Sequence, residues 1–213
     1  MKIFLDFDDT LFNTRDYYSA LKDIFGECGV PRDLFQKSYQ ELRSETPVKG
    51  WCYSFEIHIE RLQKYIDFDE ESLRKKLKSF ILNTKKYLFP DVKDFLSSLQ
   101  KSKHKICILS FGDVHYQTAK ILGTGIAQYI EKNIITNQDK GEALRGNIDF
   151  EDSAWFFDDR IHCIESVKRI FPKIQTVLMR RIEGRFLDDR NEFCDYVAKD
   201  LIEGGRIFRE HVA

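Results

Sequence analysis

The chain begins with an apolar run that turns acidic, Lys2-Ile3-Phe4-Leu5-Asp6-Phe7-Asp8-Asp9-Thr10. The apolar part is too short for a buried helix and precedes a polar, turn-like stretch, so it predicts a buried β-strand over Lys2–Leu5. In a parallel sheet, ligands bind outside the carboxyl ends of the strands, which is where Asp6 and Asp8 would lie. Two carboxylates this close repel unless a proton or a cation lies between them. A hard cation such as Mg²⁺ suits oxygen ligands, although a lone pair of aspartates equally fits strand-end capping.

Similar apolar runs recur along the chain and predict further strands. They are Lys105–Leu109, Ala154–Phe157, Gln175–Leu178 and, more weakly, Asn133–Ile135. Helical patterns separate most of them, and one pattern places Val114, Thr118, Ile121 and Leu122 on a single buried face. Strand–helix alternation of this kind indicates an α/β fold, a Rossmann-like parallel sheet of about five strands with helices on both faces.

One interval is too long for a simple crossover between strands. The first strand ends near Asp6 and the next begins near Lys105, whereas a strand–helix–strand unit needs only about 30 residues. The surplus, about Thr14–Leu88, has strong helical periodicity and few turn signals. We therefore expect a sheet unit made of residues 1–13 and 89–213, and an inserted helical unit of about four helices over residues 14–88.

Composition excludes several classes of protein. The chain has 213 residues, of which 34 are basic and 35 acidic, so it lacks the basic excess of proteins that bind nucleic acid through charge. Apolar residues make up 42%, enough for a sizeable core, which argues against disorder. No apolar run approaches the roughly 18 residues of a membrane span. The five cysteines are odd in number and widely spaced, which favours a reduced, cytoplasmic setting.

Polar residues follow the other predicted strands as well. Ser110-Phe111-Gly112 comes after one strand and Asp158-Asp159 after another, with Lys140 between them at the start of a short helix. A hydroxyl followed by backbone N–H groups that enter a helix can cradle an anion. Carboxylates, a hydroxyl and a lysine at one edge of a sheet suit Mg²⁺-assisted phosphoryl chemistry.

Taken in order, these residues resemble the motifs of the haloacid dehalogenase-like (HAD) superfamily. Its pattern is a strand followed by DxDxT, a strand followed by Ser or Thr, a downstream Lys, and a strand followed by an acidic pair. Here the pattern is matched by Asp6 to Thr10, Ser110, Lys140 and Asp158-Asp159. The resemblance implies a helical cap over residues 14–88, and Phe89-Pro90-Asp91-Val92 looks like the usual return from such a cap.

The resemblance also implies roles for the catalytic residues. Asp6 would be the nucleophile that becomes an aspartyl-phosphate. Asp8 would protonate the leaving group and later activate water. Lys140 would neutralise charge on Asp6 and on the phosphoryl group; Lys132 is the alternative for this third motif.

Metal and substrate ligands are implied in the same way. Mg²⁺ would be held by the carboxylate of Asp6, the backbone carbonyl of Asp8 and the carboxylate of Asp158, with Asp159 assisting. Ser110 would hydrogen-bond the transferred phosphoryl group, and Phe111 and Gly112 would supply the backbone cradle beside it, with Lys140 as a further phosphoryl contact.

These expectations amount to a Mg²⁺-dependent phosphatase acting on a small phosphorylated metabolite, with neither nucleic acid nor membrane as a partner. Dehalogenases of the superfamily typically lack the second aspartate of the first motif, so Asp8 favours phosphoryl transfer. A phosphomutase or other phosphoryl transferase remains an alternative, as does a catalytically silent phosphate-binding module.

One aromatic stretch and one arginine-rich stretch each allow two interpretations. Trp51 and Tyr53 could face the substrate, but aromatics at helical spacing more often belong to the core. Arg180, Arg181 and Arg185 follow the last predicted strand and could grip an acidic substrate. We interpret that stretch as a solvated loop balanced by Asp188 and Asp189.

Overall fold

The computed structural model describes residues 1–45, 52–149, 153–186 and 189–212. Within them, a single sheet has the strand order β3-β2-β1-β4-β5-β6, and every neighbouring pair is parallel. The strands are β1 (Lys2–Leu5), β2 (Lys105–Phe111), β3 (Lys132–Thr136), β4 (Ala154–Asp158), β5 (Gln175–Met179) and β6 (Tyr196–Ala198). The predicted α/β fold with a Rossmann-like parallel sheet is confirmed, and β6 is a sixth strand that the sequence pattern did not reveal.

The register of the sheet brings the predicted motifs to one edge. β1 lies between β2 and β4, and Leu5 is aligned with Ile108 on one side and Phe157 on the other. The Asp6 N–H continues this pairing by donating to the Phe157 carbonyl at 2.8 Å. Because the strands run in the same direction, the residues that follow their carboxyl ends converge on one side of the molecule.

Helices separate the strands. They are α1 (Thr14–Glu27), α2 (Arg32–Glu45), α3 (Phe55–Leu62), α4 (Glu70–Ile81), α5 (Val92–Lys101), α6 (Val114–Gly123), α7 (Lys140–Leu144), α8 (Ile161–Ile170) and α9 (Leu201–Val212). Several begin at a side chain that accepts a hydrogen bond from the first turn, as Asn13, Ser54 and Asp69 do for α1, α3 and α4. Such caps satisfy backbone N–H groups that the helix leaves unpaired.

Both faces of the sheet are covered. Side chains alternate along β1, so Ile3 and Leu5 join one hydrophobic cluster while Phe4 joins the other. The first cluster includes residues of α5 and α9, and the second includes Ile164 and Val167 of α8. Burial on both faces explains why the central strands β1 and β4 consist of almost continuous apolar residues.

The four helices α1–α4, called the α1–α4 segment below, lie in the chain between β1 and α5. α1 packs against α2 and α4, and α2 packs against α3. Leu21, Phe25 and Leu77 of this segment belong to the same hydrophobic cluster as Phe7 and Phe12, which follow β1. The chain enters and leaves the segment at adjacent points, since the Asn13 N–H donates to the Tyr87 carbonyl and the Phe89 N–H to the Leu11 carbonyl.

Two further features bear on the setting of the protein. Within the described ranges, no helix combines the length and the apolar character needed to cross a bilayer. Each of the five cysteines is a free thiol, and Cys28, Cys107 and Cys194 are buried.

Candidate active site

The loop after β1 presents three aspartates in different surroundings. Asp6 is only 5% exposed, Asp8 is half-buried and Asp9 is fully buried. The loop turns tightly, because Asp9 has a φ of 59° and the Leu11 and Phe12 N–H groups both donate to the Phe7 carbonyl. Asp6 and Asp8 thereby line a common cavity, whereas Asp9 Oδ2 accepts from Arg185 Nε at 2.6 Å.

Lys140 links two of the predicted motifs. Its ammonium donates to Asp6 Oδ1 and, at 2.6 Å, to Asp158 Oδ2, and all three side chains are buried. Although burial favours the neutral amine, Asp158 and Asp6 raise the pKa of Lys140 well above its ordinary value. Burial raises the pKa of Asp6 to about 7, against the lowering effect of Lys140.

Close packing of two helices positions Lys140. It is the first residue of α7, which begins where the Asp139 carboxylate accepts from the Gly141 and Glu142 N–H groups. A Cβ atom on Gly141 would lie 2.4 Å from the Ser166 carbonyl oxygen of α8. Only glycine therefore allows α7 to approach α8 this closely.

A cluster of three carboxylates surrounds this contact. Asp6, Asp158 and Asp159 each offer an oxygen, and these atoms lie within 4.8 Å of one another. Burial, together with Asp6 and Asp158, raises the pKa of Asp159 well above its ordinary value. Its Oδ2 is buried and has no hydrogen-bond partner among the described residues. One lysine does not balance three carboxylates, so the donor set fits a divalent cation with a preference for oxygen, such as Mg²⁺.

Asp8 belongs to a separate ion pair. Lys120 Nζ lies 2.8 Å from each of its carboxylate oxygens, Gln117 Nε2 donates to Oδ2 at 2.7 Å, and the Thr14 hydroxyl donates to Oδ1 at 2.9 Å. Burial alone would raise the pKa of Asp8, but Lys120 and Gln117 lower it to about 2. Asp8 is therefore held as an anion in this arrangement.

Ser110 lies beside Asp8 and shares one of its partners. Gln117 Nε2 also lies 3.1 Å from Ser110 Oγ and 3.0 Å from the Phe111 carbonyl oxygen. Gly112 has a φ of 149°, and a Cβ atom there would lie 2.8 Å from Gln117 Cγ, so glycine leaves the space that Gln117 occupies. The Gly112 N–H, which we expected in the backbone cradle, donates to the Thr136 carbonyl at 2.9 Å in this structure.

The two candidate lysines of the third motif lie in different places. Lys132 begins β3, is exposed, and donates to Asn147 Oδ1 at 2.5 Å. Lys140 lines the cavity and contacts Asp6. The geometry thus assigns the lysine beside the carboxylates to position 140.

The sequence pattern missed Gln117 and Lys120 because it predicted the wrong buried face for α6. Val114 and Leu122, which were expected to be buried, are 55% and 53% exposed, whereas Gln117, Lys120 and Ile121 are buried. The spacing of apolar residues along a helix predicts which face is buried, but it cannot reveal a buried lysine whose partner lies in a distant loop. The available signal was the three-residue spacing of Gln117 and Lys120, which places both side chains on one face of the helix.

The interpretation of the arginine-rich stretch as a solvated loop is wrong for Arg181. This side chain is 5% exposed, binds both oxygens of Asp91 at 2.8 and 2.9 Å, and donates to the Thr10 carbonyl. Arg181 therefore connects the end of β5 to the first motif, through Thr10, and to the start of α5, through Asp91. Arg185 reaches the cavity and pairs with Asp9. Asp188 lies outside the described residues.

A cavity of about 400 Å³ opens over these groups. Asp6, Asp8, Ser110 and Lys140 line it together with tyrosines of the α1–α4 segment. Tyr53 lines it and is 8% exposed, so this side chain is at once part of the packed interior and part of the cavity wall. Trp51 lies outside the described residues.

Comparisons with known proteins agree with this architecture. The haloacid dehalogenase-like hydrolase model matches residues 3–152. A haloacid dehalogenase-like hydrolase of Burkholderia xenovorans has 19% identity and a TM-score of 0.78, covering 100% of this chain and 98% of its own. The magnesium-bound HAD hydrolase YfnB of Bacillus subtilis has 17% identity and a TM-score of 0.67, covering 97% of each chain.

Similar folds occur in enzymes of different specificity. The L-2-haloacid dehalogenase of Xanthobacter autotrophicus has 14% identity and a TM-score of 0.66, covering 98% of each chain. Phosphatases as well as dehalogenases are thus among the similar structures. Among curated proteins, none has a sequence that matches this chain. The family model matches 150 consecutive residues, and the motif residues lie together at one edge of the sheet. The chain therefore belongs to the haloacid dehalogenase-like hydrolases.

Proposed function

We propose that this hydrolase is a Mg²⁺-dependent phosphatase that acts on a small phosphomonoester through an aspartyl-phosphate. The observation that carries the proposal is the buried ammonium of Lys140, shared between Asp6 and Asp158 at the base of a cavity that Asp8 also lines. A phosphate dianion approaching an anionic nucleophile about 4 Å away meets a repulsion of about 4 kcal/mol per pair of unit charges at an effective dielectric of 20. The lysine offsets much of that repulsion.

The carboxylate cluster supports the metal part of the proposal. Asp6 and Asp158, with the backbone carbonyl of Asp8, would hold Mg²⁺, and Asp159 would bind it directly or through water. A bound Mg²⁺ supplies positive charge to phosphoryl oxygens. The buried, unpartnered Asp159 Oδ2 and the uncompensated charge of the cluster are what such an ion would satisfy.

The chain's own residues divide the reaction into two transfers. A carboxylate oxygen of Asp6 attacks phosphorus, and the bond from phosphorus to the leaving oxygen breaks. That oxygen takes a proton from Asp8, which must itself gain this proton as the substrate enters, because Lys120 and Gln117 hold it as an anion in this structure. Water then attacks phosphorus, gives its proton to Asp8, and releases inorganic phosphate and the Asp6 carboxylate. Ser110 donates to a phosphoryl oxygen in both steps. Since Lys120 holds Asp8 as an anion, its state here suits the second transfer, in which it accepts a proton.

We further propose that residues 14–88 act as a cap. Motif residues and tyrosines of the α1–α4 segment line the same cavity, so closure of that segment would exclude bulk water from the phosphoryl group. The proposed substrate is a small phosphorylated metabolite. A cytoplasmic location, favoured by the five unpaired cysteines, is part of the same proposal.

Phosphatase activity is preferred over dehalogenation because of Asp8. The dehalogenases of the family typically lack the second aspartate of the first motif, and here that residue lines the cavity with three directed contacts. The same residues would serve a mutase, another phosphoryl transferase or a silent phosphate-binding module. The products formed from a phosphorylated substrate must therefore distinguish these alternatives from a phosphatase.

The test is the release of inorganic phosphate from a panel of phosphorylated metabolites with Mg²⁺. We expect release by the wild type and by Asp67→Asn, an exposed control, and loss of release in Asp6→Asn. Equal activity in Asp6→Asn would overturn the mechanism. A phosphorylated product without free phosphate would indicate a transferase, binding without turnover a regulatory module, and halide release from a 2-haloacid a dehalogenase.

A further inference from the structure

Much of the lining of the cavity that contains Asp6 and Asp8 is aromatic. Four tyrosines of the α1–α4 segment line it, and α6 adds a fifth; they are Tyr17, Tyr18, Tyr39, Tyr53 and Tyr116. A substrate bound in this cavity can therefore place the part that leads away from the reacting phosphorus against these rings. They form the tyrosine wall discussed below.

The rings of the tyrosine wall form one continuous surface. Centroids lie 4.8 Å apart for Tyr18 and Tyr39, 5.4 Å for Tyr39 and Tyr53, and 5.2 Å for Tyr53 and Tyr116. The first two pairs are tilted and the third meets edge to face, which are favourable arrangements for aromatic groups. The wall is thus held in place by its own packing.

Several hydroxyls of the wall are already hydrogen-bonded to other groups. The hydroxyls of Tyr17 and Tyr116 bind each other at 2.9 Å. The Tyr53 hydroxyl lies 2.9 Å from His58 Nδ1, and His58 Nε2 lies 2.8 Å from Ser38 Oγ. Since the Ser38 hydroxyl donates to the Phe35 carbonyl, it accepts from His58 Nε2, and His58 Nδ1 accepts from Tyr53. The Tyr53 proton is therefore committed to His58, and of the Tyr17–Tyr116 pair one hydroxyl donates to the other, so these three tyrosines offer a ligand mainly ring surface and at most one O–H.

This chemistry discriminates between classes of phosphomonoester. A sugar phosphate that lay against the tyrosine wall would bring several hydroxyls onto ring surface, which does not replace their hydrogen bonds to water. A planar ring would instead gain stacked or edge-to-face contacts with the wall. The cavity, at about 400 Å³, is of the size that holds a small ring compound.

Resting on the proposed phosphatase function, we propose that the substrate is a phosphomonoester whose leaving group carries an aromatic or heteroaromatic ring. The ring would lie against Tyr39 and Tyr53 while the phosphoryl group lies between Lys140 and Ser110. The specificity of the enzyme would then be set by the α1–α4 segment, and its chemistry by the sheet edge.

The test compares two esters of similar leaving-group chemistry. Benzyl phosphate and cyclohexylmethyl phosphate are both esters of primary alcohols, and they differ in whether the ring is planar and aromatic. We expect kcat/KM for phosphate release to favour benzyl phosphate by about tenfold, the effect of one or two aromatic contacts. Tyr39→Leu should bring this ratio toward one, whereas Tyr65→Leu, on an exposed tyrosine outside the cavity, should leave it unchanged.

A binding measurement separates this inference from the proposed function. Benzylphosphonate and cyclohexylmethylphosphonate cannot be hydrolysed at the phosphorus–carbon bond, so their Kd values in Mg²⁺ report ring preference without turnover. Tighter binding of benzylphosphonate by about tenfold supports the inference even if no ester is hydrolysed. Hydrolysis of both esters at equal kcat/KM, or equal Kd values for the two phosphonates, would overturn it and leave the phosphatase proposal standing.

Discussion

The Lys120 ammonium lies 2.8 Å from each carboxylate oxygen of Asp8, and it is buried between the sheet edge and the α1–α4 segment. Four aromatic rings surround it, with centroids between 5.3 and 5.7 Å from Nζ; they belong to Phe7, Phe12, Tyr17 and Tyr116. Water is largely excluded from such a position, so each charge depends on the other. The pair therefore joins the first motif to α6 and to α1.

The first prediction concerns the stability of this pair. Lys120→Met leaves the half-buried Asp8 carboxylate without its cation and should lower the free energy of unfolding by about 3 kcal/mol. The double variant Lys120→Met/Asp8→Asn should lose less than the sum of the losses of the two single variants. Urea denaturation in the presence of a chelator measures both. The exposed pair of Lys105 and Glu131 is the control, and Lys105→Met should change stability by no more than about 0.5 kcal/mol. Strict additivity would show that the two charges are not coupled.

The second prediction concerns the carboxylate cluster. Lys140→Met leaves Asp6, Asp158 and Asp159 together without a cation, so the metal-free variant should melt below the wild type by roughly 6–12 °C, equivalent to about 3 kcal/mol. Adding Mg²⁺ should raise its Tm more than that of the wild type, because an ion bound only to the folded state stabilises it. Lys132→Met is the matched control, since that lysine is exposed.

The rise in Tm with Mg²⁺ is compared with the rise in sodium chloride at the same ionic strength. A gain that sodium chloride reproduces would reflect screening of the carboxylates rather than binding of a divalent ion. An equal Mg²⁺ response in Lys140→Met and the wild type would contradict a shared metal and lysine site.

The sequence was most informative about the residues at the carboxyl ends of the parallel strands. Asp6, Ser110 and Asp158 occupy strand ends, and in a parallel sheet strand ends share one edge, so local pattern alone brought these residues together. Lys140 could be predicted for a related reason, because it begins α7, the helix that leads to the next strand. β6 was missed because a strand of three residues with one neighbour leaves almost no pattern.

The remaining site residues depend on tertiary contacts that no local pattern encodes. Lys120 and Arg181 are long charged side chains, which are mostly exposed in proteins, and each is buried here only because a distant aspartate faces it. Asp8 lies 112 positions from Lys120, and Asp91 lies 90 positions from Arg181. Such pairs become visible once the sheet is assembled.

The third prediction concerns Arg181. Its guanidinium binds both oxygens of Asp91 and also the Thr10 carbonyl, a geometry that an ammonium group cannot reproduce. Arg181→Lys should therefore lower the free energy of unfolding by about 2 kcal/mol, measured by urea denaturation. Arg169→Lys, in an exposed pair with Glu165, should have an effect near zero. Equal effects of the two substitutions would mean that the buried network does not stabilise the fold.

The last prediction concerns pH. Burial lowers the pKa of His58 to about 4 from an ordinary value of 6.5, so between these values the unfolded chain binds a proton that the folded protein does not. The stabilisation is complete above the ordinary value and is lost as the pH falls toward 4, by up to about 3 kcal/mol. His58→Gln removes this titration, so its free energy of unfolding should fall less steeply with acid than that of the wild type. His115→Gln, at an exposed position, should keep the wild-type slope. If His58→Gln and the wild type had the same slope, His58 would not be neutral in the folded protein, and the hydrogen-bond chain from Tyr53 to Ser38 would have to run with a charged ring at its centre.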